Sequence, residues 1–200
     1  HGAVEATADS ERAGDRLRAE QRPFDSIRPE VWDALAAANP WSTPFARWGF
    51  HRAWWDAYSG SAHDQTLIVL DPLAPGRPVA IVPLMHRHEV EPTDAANEAR
   101  MRHGSGAQLT PVEPHAKAVF FGASYHADYA TVLAAPADMP AVADAVVDHL
   151  EGPAGTRGHE MPWDVVDLRR LRCGDPAADA LAAAFGRREM TAGWTMNLER

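Results

Sequence analysis

Four side chains with chemical potential recur at near-helical spacing: Arg47, His51, Trp54 and Tyr58. At about 100° per residue they fall along one stripe, flanked by Phe50 and Ala57 on one side and by Trp48 and Trp55 on the other. A cation, an imidazole and two aromatic rings so arranged could wall a substrate cleft. The same stripe could be the inward side of a core helix, with Arg47 and His51 at its margin. Arg52 and Asp56 lie off the stripe as an i,i+4 pair, which marks a solvated face.

The chain's ten histidines raise the question of a metal. His86-x-His88 on a strand would project both rings to one face, where His103, His115 and His126 could join them. Followed by Glu89 and Glu91, the same pair reads equally as the polar exit of a buried strand. No short-spaced second ligand pair accompanies it, so no bound metal is expected. Cys173 is the only cysteine, which excludes an internal disulfide and a cysteine-based zinc cluster. As a thiol beside Gly174 and Asp175 it reads as incidental rather than nucleophilic.

These residues need a frame to hold them. Residues 1–22 are charged and alanine-rich with few large apolar side chains, so a mobile N-terminal tail is expected there. Residues 29–35 read as a short helix with proline in its first turn, ending at Asn39-Pro40. Thr43 as N-cap and Pro44 at the first helical position open a second helix that carries the stripe to about Ser59-Gly60. Apolar runs at 66–70 and 78–85, split by a turn-rich segment, read as an antiparallel pair. Further strands are expected at 118–122, 129–133, 165–168 and 193–198. Asp138 and Asp175-Pro176 open two more helices, the first amphipathic through Met139, Val142, Val146 and Leu150, the second ending at Gly186. The order implies a mixed α/β (α+β) class: a central, mostly antiparallel sheet with helices packed on it.

With 46% hydrophobic residues among 200, the chain can bury a real core, and one domain over 23–200 is the expectation. Nineteen basic residues against 28 acidic give a net charge of −9, which argues against a surface built for nucleic acid. No run reaches the ~18 apolar residues of a membrane span and no signal-peptide layout opens the chain, so a cytoplasmic protein is expected.

Several short motifs, in order, carry a resemblance. Trp32-Asp33-Ala34-Leu35, Thr43-Pro44-Phe45, Ala53-Trp54-Trp55-Asp56-Ala57 and Ala80-Ile81-Val82-Pro83-Leu84 resemble the opening of the GNAT-type acetyltransferases known as CelD/BcsL-like. Phe121-Gly122-Ala123-Ser124, Asp128-Tyr129-Ala130-Thr131-Val132-Leu133 and Trp163-Asp164-Val165-Val166-Asp167-Leu168 resemble its glycine turn, its Asp-Tyr strand and its strand before the last helix. The resemblance spans roughly residues 24–200 and implies a GNAT-like N-terminal lobe of a FemAB-like, two-lobed acyltransferase.

What it implies is specific. Acyl-CoA, typically acetyl-CoA, would be the donor and a small-molecule amine or hydroxyl the acceptor. A second, C-terminal GNAT-like lobe, absent from this chain, would complete the chemistry, so the lobe is expected to be inactive alone. The alternative is a non-catalytic folding and interaction module that docks a second lobe or partner. The abrupt end and the seven tryptophans suggest exposed apolar surface and self-association. GNAT enzymes cradle the CoA pyrophosphate on a glycine-bearing loop before a helix. The nearest match, Arg102-His103-Gly104-Ser105-Gly106-Ala107, has its arginine one position too close and no amphipathic helix after it, so an ordinary turn is expected. By the same resemblance Asp128-Tyr129 sits where a strand emerges and could orient the acceptor. The plainer reading has Asp128 capping a turn and Tyr129 packed at the sheet edge.

Overall fold

Alternation along the strands sorts the apolar side chains into two cores, one on each face of a twisted sheet region. The computed structural model describes residues 17–87, 118–124, 126–152 and 163–188. Its elements are β1 (Arg18–Gln21), α1 (Pro29–Ala38), α2 (Trp48–Tyr58), β2 (His63–Asp64), β3 (Leu67–Leu70), β4 (Pro78–Val82) and β5 (Leu84–Arg87). β6 (Ala118–Phe121), α3 (Met139–Glu151), β7 (Val165–Asp167) and α4 (Pro176–Arg187) complete them. Leu67, Val69, Ala80, Val82, Leu84, Val119 and Phe121 face one core, which Met139, Val142 and Val146 of α3 and Leu181 of α4 close. Ile81, Met85, Ala118 and Phe120 face the other, built with Trp32 and Ala36 of α1 and Trp54 and Trp55 of α2. The result is the mixed α/β class expected, with mostly antiparallel sheets between helices.

In place of the one central sheet expected, the strands form two, β1-β3-β4 and β2-β5-β6-β7, because the chain leaves one for the other at Pro83; they are antiparallel except for the parallel pair β6–β7. β3 and β4 are the expected antiparallel pair, with Leu67 opposite Val82. The run 78–85 does not continue as one strand. Pro83 has no N–H to give the ladder, and the chain passes there from one sheet to the other. Its carbonyl still accepts from Gly122 N at 2.9 Å. Ile81, just before the break, exchanges two hydrogen bonds with Leu133, at 3.0 and 2.9 Å. This bridge is all that forms of the strand expected at 129–133. The strand expected at 193–198 lies outside the described residues.

Three local expectations change. Residues 18–21, placed in the tail by their polar composition, form β1 on the edge of β3, with Leu17 buried beside them. Backbone pairing supplies what side-chain burial does not. The helix carrying the stripe is not opened by Thr43: Pro44–Ala46 is a separate 3-10 turn, Arg47 is extended at φ −69° and ψ 148°, and α2 begins at Trp48. The acceptor for its first turn comes from α1, where Asp33 Oδ1 receives Trp48 N at 2.9 Å. Asp33→Ala is therefore expected to cost about 1 kcal/mol by chemical denaturation, as loss of a capping acceptor does. Asp33→Asn should keep most of it. Asp138 caps nothing with its side chain, whereas Asp175 does so as expected, accepting from Ala177 N at 2.9 Å.

Of the described tryptophans, Trp32, Trp54 and Trp55 are buried, and Trp41, Trp48 and Trp163 are half-buried. The first three are turned into the core by α1 and α2, and none of the six is fully exposed. The exposed large apolar side chains there are Tyr58, Leu73 and Tyr129. No described helix is long and apolar enough to cross a membrane.

Candidate functional site

The break at Pro83 opens a narrow pocket, because β5 turns to pair with β6 while β4 keeps its single bridge to Leu133. Phe45, Pro83, Gly122, Tyr129 and Thr131 are among its walls and His51 of α2 lines its inner side. It has room for about one water-sized group. His51 and Tyr129, singled out separately in the sequence, meet here. No aspartate, glutamate, lysine or arginine lines it.

His51 is 4% exposed, with its ring 4.9 Å from that of Trp32. Desolvation pushes its pKa down from 6.5 to about 4, and a hydrogen bond from the ring to the Phe45 backbone offsets a smaller part of that shift. The imidazole is neutral at pH 7. Its Nδ1 is buried and has no hydrogen-bond partner, an uncommon state for a buried polar atom. Gly122 sits beside it: a Cβ built there would lie 3.7 Å from His51 Nδ1 and 3.4 Å from Pro83 Cβ. The missing side chain leaves space at the nitrogen.

The rest of the stripe goes elsewhere. Arg47 is exposed and precedes the helix, so it does not share the face of His51. Trp54 is buried and donates from Nε1 to His126 Nδ1 at 2.9 Å, and His126 stacks on the exposed Tyr58 at 4.5 Å and 13°. These three rings form a cluster of their own and do not line the pocket. Asp128 is exposed and also outside the lining, while its neighbour Tyr129 is in it.

Sequence reasoning missed the group that steadies Tyr129. The Arg172 guanidinium lies 5.5 Å from the Tyr129 ring and 5.0 Å from that of Trp41, and its Nη2 donates to Trp41 O at 2.8 Å. Beneath it runs a buried polar chain. Asn39 Nδ2 donates to Val132 O at 2.8 Å, and Thr131 Oγ1 donates to Asp175 Oδ2 at 2.7 Å. The C-terminus of α1, the pocket segment and the first turn of α4 are tied together by these bonds. No spacing in the sequence could have signalled contacts between residues about 40 to 130 positions apart.

Among the described residues no group of three or more histidine, cysteine, aspartate or glutamate side chains is arranged to hold a metal. Buried His86 has its ring 6.3 Å from that of His63, and His126 belongs to the aromatic cluster. His88, His103, His115 and the loop 102–107 lie outside the described residues. Cys173 is free and exposed. Compared with known proteins, the chain matches no family model, no curated protein and no solved structure.

Proposed function

We propose that the chain is the acceptor-side, N-terminal lobe of a GNAT-type acyltransferase, forming one wall of a cleft closed by a second lobe. The acyl group comes from an acyl-CoA donor such as acetyl-CoA, and the His51–Tyr129 pocket receives the amine or hydroxyl that takes it. The observation that carries this reading is the unpartnered His51 Nδ1 facing the space beside Gly122, at a break in the sheet. The α+β architecture and the ordered motifs from Trp32 to Leu168 are compatible with it.

A second reading, a non-catalytic module that docks a partner lobe, is favoured by the burial of His51 and Trp54, half of the stripe. Kinetics of the two-lobed protein separate the two. In the first reading Tyr129→Ala raises the acceptor KM about tenfold, about 1.4 kcal/mol of lost binding, and leaves the KM for acetyl-CoA unchanged. Unchanged acceptor kinetics would favour the docking module.

A further inference from the structure

We infer that His51 Nδ1, with the space Gly122 leaves beside it, is a binding site for a single uncharged hydroxyl group. This deepens the cleft-wall reading and rests on it for the use made of the hydroxyl, not for its binding. The nitrogen is buried, without a partner, and lies about where a Gly122 side chain would come into contact. A neutral imidazole carries one N–H and one lone pair, and a hydroxyl, which both donates and accepts, completes Nδ1 in either tautomer.

The surroundings decide which donor fits. Phe45, Ala46, Pro83, Phe121, Ala127 and Leu133 supply apolar walls, and no carboxylate is among the lining residues to neutralise a cation. The desolvation that keeps His51 neutral penalises an ammonium in the same place. Thr131, a nearby hydroxyl, is already committed to Asp175. Space for about one water-sized group admits a hydroxyl oxygen with its carbon at the mouth, against the exposed Tyr129 ring. An alcohol acceptor satisfies every one of these conditions and an ammonium fails on charge.

The test uses the chain alone and needs no acyl transfer, so its failure is distinct from failure of the acyltransferase reading. The ring nitrogens of His51 are followed by long-range proton–nitrogen NMR during titration with methanol and, separately, with methylammonium chloride at matched ionic strength. Methanol should shift the Nδ1 resonance saturably, and methylammonium should leave it in place. Gly122→Ala fills the space with one methyl at ordinary contact distance and should abolish the methanol response while leaving the fold's circular dichroism unchanged. A response to methylammonium as strong as to methanol, a methanol response that survives in Gly122→Ala, or no saturable response at all would overturn the assignment.

Discussion

Replacing Trp32 by alanine will cost the fold about 3–5 kcal/mol, the range for truncating a fully buried aromatic side chain. Trp32 is 0% exposed and packs edge-on to Phe24 at 5.2 Å. Its Nε1 donates to Ala46 O at 2.8 Å, which fixes the 3-10 turn that leads into α2. The same ring lies against His51, so the loss reaches the pocket as well as the core. Trp32→Phe should cost less, since the ring packing is largely kept and mainly the bond to Ala46 is lost. Urea denaturation followed by circular dichroism measures both. A loss below about 1 kcal/mol for the alanine variant would contradict the role given to this ring.

A second large effect concerns pH. His51 has a folded pKa of about 4 against an ordinary value of 6.5, so between these values the unfolded chain binds a proton that the folded chain refuses. Stability from this residue is therefore fully present above pH 6.5 and lost as the pH falls to about 4. The loss approaches about 3 kcal/mol over the interval, with a slope of at most about 1.4 kcal/mol per pH unit. Other groups titrate in the same range, so the readout is the difference between the wild-type curve and that of His51→Leu, which lacks the proton site. Equal slopes in the two proteins between pH 4 and 6.5 would show that His51 is not held neutral by burial.

How much of this was legible in the sequence depends on whether a signal is local. The period-3.6 face of α3 and the Asp175-Pro176 start of α4 are local, and both appear where the pattern puts them. The β3–β4 pair is likewise readable from two apolar runs and a turn. β1 was hidden because its Arg-Ala-Glu-Gln sequence is polar and its order comes from pairing with Leu67–Leu70. Pro83 was visible, and its consequence for the strand follows from the missing N–H, yet the apolar run around it reads as continuous. The start of α2 was misplaced because the acceptor that opens it belongs to Asp33, on another helix.

The candidate site was half legible for the same reason. Helical spacing placed His51 and Trp54 on the inward face of α2, and both are buried. It could not show that Arg47 is extended and outside the helix, nor that His126 would capture Trp54 and Tyr58. That Tyr129 enters the pocket while Asp128 stays outside depends on the path of the chain after Gly122. Arg172, which packs on Tyr129, comes from beyond β7 and has no sequence signature for that role.

The most direct measurement of the central claim is release of free CoA thiol from acetyl-CoA by the chain joined to a GNAT-like second lobe, against the chain alone, across small alcohols and amines. The joined protein should release thiol in an acceptor-dependent way and much more slowly as His51→Leu, and the chain alone should show neither release nor saturable acetyl-CoA binding. Acylation by the isolated chain, or no release by the joined protein with any acceptor, would contradict the claim.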